Sequence, residues 1–197
     1  GAVVQKPFVT KDKKHLKLPL PKKYDFQAVP SLKKPTFTDQ ARERAAAAVR
    51  TEKRVFFYPG CAVEYFYPHL GLALIDVLER AGVRVDIPEM PACCGLPAAF
   101  AGDRKSADKA IRSNLNFMGN PDDYDAYLVL CPSCGVAIVE DFEKFVTDDM
   151  SLGEKAKKIA SHTKSLSMFL EENGLKFRSA EKNKVTYHTP CHLGRGL

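Results

Sequence analysis

No run of 18 apolar residues occurs in this 197-residue sequence, so no stretch of it reads as a membrane-spanning helix. Its first residues lack the charged n-region and the apolar h-region of a secretion signal. A soluble, cytoplasmic chain is therefore expected, peripheral to the inner face of a membrane only through partners. No G-x-G-x-x-G fingerprint is present, and no Ser-His-Asp or paired-carboxylate arrangement stands out. Substrate chemistry on this chain alone is not expected. Without a secretion signal a disulfide framework is not expected either, and a bridge between adjacent cysteines would be strained.

The positive charge that is present is unevenly spread. Up to Lys53 there are 13 basic and 5 acidic residues, a net of +8; beyond it, 17 against 19 give −2. The excess belongs to residues 1–53, a proline-rich extension or linker containing Leu18-Pro-Leu-Pro-Lys-Lys23, Pro30 and Pro35. Such a segment favours extended backbone over a packed core. It has neither regular aromatic interleaving nor a nucleic-acid motif, so specific nucleic-acid binding is not expected. A short helix over 38–50, rich in alanine at 45–48, leads into the body.

From Arg54 strands and helices alternate. Val55-Phe-Phe-Tyr58, stopped by Pro59-Gly60, predicts a buried strand. Leu70, Leu74, Val77, Leu78 and Ala81 mark one face of a helix that Gly82 ends. Strands follow at 83–87 and 126–130, with a helix between them capped by Asp103 and facing inward through Ala107, Ala110, Ile111, Leu115 and Met118. Ile138, Phe142, Phe145 and Val146 mark another helix. Ser151-Leu-Gly-Glu154 reads as a capping box opening a helix that runs to Asn173-Gly174, and 184–188 reads as a fourth strand. The pattern predicts an α/β fold, a Rossmann-like parallel sheet covered by helices, with ligand sites beyond the carboxyl ends of the strands.

Five of the six cysteines obey that rule. Cys61 follows the first strand, Cys93 and Cys94 lie in the loop after the second, and Cys131-Pro-Ser-Cys134 follows the third. All five thiols can therefore meet at one edge of the sheet. In extended backbone neighbouring side chains diverge, so Cys93 and Cys94 suit different metal atoms of a polynuclear cluster. Gly95, with Pro91 and Pro97, helps the loop approach closely. Five thiolates exceed the four that a zinc ion or an ordinary cubane needs. A structural zinc on four of them is the main alternative. A thioredoxin-like reading of Cys131-Pro-Ser-Cys134 leaves the Cys93–Cys94 pair without a purpose.

Tyr58-Pro-Gly-Cys61, Pro91-Ala-Cys-Cys-Gly-Leu96 and Leu130-Cys-Pro-Ser-Cys-Gly135 resemble the cysteine-rich CCG domain. That domain occurs in the cysteine-rich subunit of heterodisulfide reductase. It also occurs in the iron–sulfur subunits of glycolate oxidase, lactate-utilisation oxidoreductases and anaerobic glycerol-3-phosphate dehydrogenase. The resemblance implies a noncubane [4Fe–4S] cluster held by Cys61, Cys93, Cys94, Cys131 and Cys134; some relatives hold zinc in one of two tandem domains. It implies a first CCG domain over 54–183. Tyr187-His-Thr-Pro-Cys-His-Leu193 is similar to the opening of a second, so 184–197 is expected to begin a truncated second domain with Cys191 as an orphan ligand. A ferredoxin-type domain is expected ahead of residue 1.

His188 and His192 flank Cys191 and are read as part of that second domain's loop in preference to metal ligands. His69 is read as a helix-start residue near Cys61, although a hydrogen bond to cluster sulfur would suit it too. Arg104 and Lys105 either offset the charge of a cluster or lie solvated in a first helical turn. The resemblance implies an electron-transfer subunit of a 2-hydroxy-acid oxidase or dehydrogenase, with substrate oxidised on a flavoprotein or other redox partner. Two alternatives stay open: a catalytic subunit cleaving a disulfide at its cluster, as in heterodisulfide reductase, and a zinc-stabilised interaction module.

Overall fold

Val55-Phe-Phe-Tyr58 is apolar at every position, as a strand covered on both faces must be. In the computed structural model of the chain, which describes residues 15–16, 29–44, 53–89, 93–175, 184 and 186–196, this run forms most of strand β1, Lys53–Tyr58. It lies inside a four-stranded sheet with β2, Val83–Asp86, β3, Ala126–Val129, and β4, Thr163–Ser165. The order is β2-β1-β3-β4 and every pairing is parallel. A separate two-residue antiparallel pairing joins His15–Leu16 to Val29–Pro30.

Successive strand residues face opposite sides of the sheet, and the two cores follow from that alternation. Phe56, Tyr58, Tyr127 and Val129 pack with Ile111, Leu115, Met118, Ile138, Phe142 and Ile159 on one face. Val55, Phe57, Ala126 and Leu128 pack with Phe37, Val63, Leu74, Leu78 and Phe169 on the other. The second face is covered by α1, Phe37–Arg44, α2, Gly60–Tyr65, α3, Pro68–Arg80, and α9, Leu166–Glu172. The first is covered by α4, Leu96–Phe100, α5, Arg104–Phe117, α6, Pro132–Val136, α7, Phe142–Phe145, and α8, Met150–His162. Asp103 caps α5, accepting from Ser106 N at 3.0 Å.

The fourth strand is not where periodicity put it. Residues 184 and 186–190 carry no regular structure, and Thr163–Ser165 takes the edge instead. The helix expected to run from 151 to 172 is therefore two. Its first part is capped by Asp149, which accepts from Leu152 N at 3.0 Å, so the Ser151 capping box is not used. It stops where Thr163 turns its hydroxyl back to Ile159 O at 2.8 Å, and Ser165 caps α9 through Met168 N at 3.3 Å. Serine and threonine offer the backbone such local alternatives to helix. A three-residue edge strand has too little alternation to be seen against them.

A second difference concerns the extension. Phe37 is 0% exposed and Ala41 3%, inside the core of the second face, and the Phe37 ring meets Phe57 edge-on at 5.5 Å. Buried Glu64 accepts from Thr38 N at 3.1 Å and from Thr38 Oγ1 at 2.6 Å. The segment expected to stay clear of the core supplies part of it. The proline-rich stretch 18–23 and the alanines at 45–48 lie outside the described residues. Among the described residues no helix is long and apolar enough to cross a membrane.

A candidate metal centre at the switch point

The chain runs outward from β1 to β2 on one side and returns to place β3 on the other, so strand order reverses between β1 and β3. A crevice opens at the carboxyl ends of such a pair. Register sets what enters it: Tyr58 pairs with Val129, so the two strands end side by side. Cys61 is three residues beyond one end and Cys131 two beyond the other.

The β1–α2 turn is tight. Gly60 has φ +61°, and a Cβ there would stand 2.9 Å from Cys134 Sγ. The turn carrying Cys61 thus lies against the buried end of the CxxC segment. Cys131 is extended at the N-cap of α6, and Gly135 N bonds to its carbonyl at 3.0 Å. Beyond α6 the buried residues Cys134, Ile138, Phe142 and Val146 recur every four positions. That spacing drifts about 40° per step around a 3.6-residue helix; a π-turn over Ala137–Asp141 takes up the drift.

Cys93 and Cys94 diverge as neighbours on extended backbone should: Cys93 is exposed and Cys94 buried. Gly95 turns the chain into α4 with φ +86°, and a Cβ there would press on Ala107 O at 3.1 Å. The carbonyl of Cys93 accepts from Asn114 Nδ2 at 2.9 Å, and Asn114 is itself buried at 3%. This residue was missed in the sequence, although it stands three after Ile111 on the inner face of α5. A lone amide inside an apolar stripe was the available signal.

The groups that perturb these thiols are chiefly one another. Cys131 is lowered to about 5, first by a hydrogen bond from Cys134, then by the N–H groups of Cys134 and Ser133 and the Ser133 hydroxyl. Cys94 is lowered to about 7 by its hydrogen bond from Cys134, against the effect of burial. Cys134 is pushed up by its closeness to Cys131 and then Cys94, and further by burial. Cys61 is raised by burial and then by the negative charge of Cys93, Cys94 and Cys131. Burial raises Tyr58, and Cys134, Cys94, Cys93 and Cys61 add to that.

Among the described residues no three His, Cys, Asp or Glu side chains are arranged to hold a single metal ion. Cys61, Cys93, Cys94, Cys131 and Cys134 are close enough to perturb one another's ionisation. An all-sulfur donor set, with Cys94 and Cys134 in an apolar core, fits a soft polynuclear iron–sulfur group, since a bare thiolate there would be costly.

The remaining candidates separate. His69 is exposed on α3 and sets its ring edge-on to Tyr67 at 6.3 Å. Arg104 lays its guanidinium over the Phe145 ring at 4.7 Å, and Lys105 is exposed. Cys191 is exposed and begins α10, Cys191–Gly196. His188 lines a cavity of about 400 Å³ with Tyr187, Leu193, Leu130, Pro132 and Leu166. His192 Nδ1 lies 2.7 Å from Ser133 Oγ, a contact between the segment after 186 and the CxxC turn that spacing alone does not show.

Residues 55–139 match the profile of the cysteine-rich CCG domain. The chain is 32% identical over 147 residues to lactate utilization protein A of Halalkalibacterium halodurans, covering 73% of this chain and 58% of that protein. It is 30% identical over 145 residues to a fumarate reductase (CoM/CoB) subunit of Methanothermobacter marburgensis, covering 73% of this chain and 26% of that one. An uncharacterized iron–sulfur protein of Methanocaldococcus jannaschii is 34% identical over 143 residues, with the same two shares. The chain thus spans less than two thirds of the length of these relatives. No solved structure matches it significantly. The profile match covers Cys61, the Cys93–Cys94 pair and Cys131-Pro-Ser-Cys134 together, and this chain carries a cysteine-rich domain of the CCG family.

Proposed function

We propose that the chain is an iron–sulfur electron-transfer subunit of an oxidoreductase. In this reading Cys61, Cys93, Cys94, Cys131 and Cys134 hold one [4Fe–4S] cluster, noncubane because five thiolates exceed what a cubane takes. The observation that carries it is that the Gly60 turn bearing Cys61 packs against the Cys134 sulfur, with Cys131 opening the same helix and Cys93 and Cys94 close enough to perturb Cys61. When bound, such a cluster transfers single electrons at a potential set by charge, sulfur hydrogen bonds and exposure. Cys61, Cys93, Cys94, Cys131 and Cys134 would hold the cluster as thiolates, and Cys131 and Cys94 are the two whose ionisation their surroundings favour. Gly60 and Asn114 hold the Cys61 and Cys93–Cys94 loops in place. The exposed Cys61 and Cys93 form the open side, where a partner approaches.

The relatives' names support the wider reading. One is a lactate utilization protein and another a fumarate reductase subunit; a 2-hydroxy acid oxidised on a flavoprotein partner, with electrons passing through this chain, suits both the fold and the missing nucleotide fingerprint. Residues 54–183 are the first CCG domain of the proposed protein, 1–53 an extension ahead of it, and 184–197 the start of a second. The assembly is cytoplasmic. Anaerobic reconstitution tests the metal claim: about four irons per chain and broad visible absorption are expected. About one zinc and no iron would overturn it in favour of a zinc-stabilised module.

A further inference from the structure

The segment after residue 186 returns to the CxxC turn, where α10 packs against α6. His192 Nδ1 meets Ser133 Oγ at 2.7 Å, and both side chains are partly shielded from solvent. Ser133 stands between the two cysteines on the turn that Cys131 opens, and its hydroxyl is among the groups that favour ionisation of Cys131. A serine hydroxyl has one proton to give and two lone pairs to offer. A bare Nδ1 would take that proton away from the sulfur. A protonated Nδ1 donates to a lone pair of Oγ and leaves the proton for Cys131. Bonds to an ionised acceptor are the stronger ones, so a thiolate or metal-bound sulfur at Cys131 favours the second arrangement.

We infer that His192 is a positioning residue for the metal centre: its Nδ1–H donates to Ser133 Oγ, and the Ser133 hydroxyl donates to the sulfur of Cys131. The relay ties residue 192 to a turn 59 positions earlier and gives the later segment a means of tuning the first site. It rests on the proposed metal reading in that its main effect is on a bound cluster. A hydrogen bond to cluster sulfur stabilises the more negative, reduced state and so raises the reduction potential.

The test uses the whole chain with Ser133→Ala, Ser133→Thr, His192→Ala and His192→Asn, thermal unfolding first confirming that each folds. On the reconstituted chain, redox titration followed by electron paramagnetic resonance should show lower midpoint potentials for Ser133→Ala and His192→Ala. The double Ala variant should move no further than Ser133→Ala alone. Thr, which keeps the hydroxyl, and Asn, whose amide N–H replaces Nδ1–H, should restore the potential. On the metal-free, ¹⁵N-labelled chain with neutral imidazole, long-range ¹H–¹⁵N spectra should find the His192 proton on Nδ1. An Nε2 tautomer there, an unmoved potential in His192→Ala, or shifts that add in full would each overturn the relay. Failure to bind iron would instead sink the metal reading, while the tautomer measurement would still decide the hydrogen bond.

Discussion

A Cβ on Gly60 would stand 2.9 Å from the sulfur of Cys134, closer than an unstrained contact allows. The strand-to-helix turn bearing Cys61 therefore reaches the CxxC segment only while residue 60 is glycine, and its φ of +61° makes the same demand of the backbone. Gly60→Ala should cost about 1–3 kcal/mol of stability and displace Cys134, lowering iron uptake. Gly102 is the control: φ is +81° but nothing lies within 4 Å of its Cβ position. Gly102→Ala should cost about 1–2 kcal/mol with iron content unchanged, both read by urea unfolding and an iron assay.

Asn114 holds the Cys93 carbonyl from inside the core. Asn114→Leu leaves that carbonyl without its donor at a cost of about 1–3 kcal/mol. For a chain of this size that lowers Tm by about 2–4 °C per kcal/mol. The reconstituted variant should also show an altered cluster spectrum, because the Cys93–Cys94 loop is no longer fixed. A lowered Tm with an unchanged spectrum would reduce Asn114 to a packing residue.

Metal-free thiol reactivity should follow ionisation over exposure. Cys131 is lowered to about 5, chiefly by the hydrogen bond from Cys134, so it is largely thiolate above that pH. Cys61 is more exposed, yet burial of its sulfur and the neighbouring thiolates raise it. At about pH 6–7, iodoacetamide should label Cys131 before Cys61, since the thiolate is the reacting form. Labelling of Cys131 should fade as pH falls through about 5. Cys134→Ser, with a different donor in place of the thiol, should move that midpoint. Peptide mass spectrometry reads both; Cys61 reacting first would contradict the assignment.

Phe37 is fully buried against Phe57, and a Cβ on Gly71 would run into its ring at 2.6 Å. Phe37→Ala should cost about 3–5 kcal/mol, a loss measurable by chemical unfolding. A near-neutral result would show that α1 does not contribute to the core in solution.

Much of the fold was legible because its strands are covered on both faces. Continuous apolar runs at 55–58 and 126–129 announced themselves, and 3.6-residue stripes marked α3 and α5. Five of the cysteines followed from the same logic, since Cys61 and Cys131 lie three and two residues beyond β1 and β3 and Cys93 and Cys94 fall between β2 and α4. Beyond local pattern the sequence was silent. Thr163–Ser165 became the edge strand because Thr163 and Ser165 satisfy the helix ends on either side, while residues 184 and 186–188, of better strand composition, carry no regular structure. Phe37 joined the core because Gly71 left room for its ring.

The residue types themselves determined the chemistry: five thiols, two of them adjacent, at the ends of three strands. Tertiary structure decided how those thiols act on one another. The turn at Gly60 lies against the Cys134 sulfur, Asn114 fixes the Cys93 carbonyl, and His192 reaches Ser133. Hydrogen bonds extend only about 3 Å. Which of these groups come that close depends on strand register and helix packing, and no spacing along the chain encodes it.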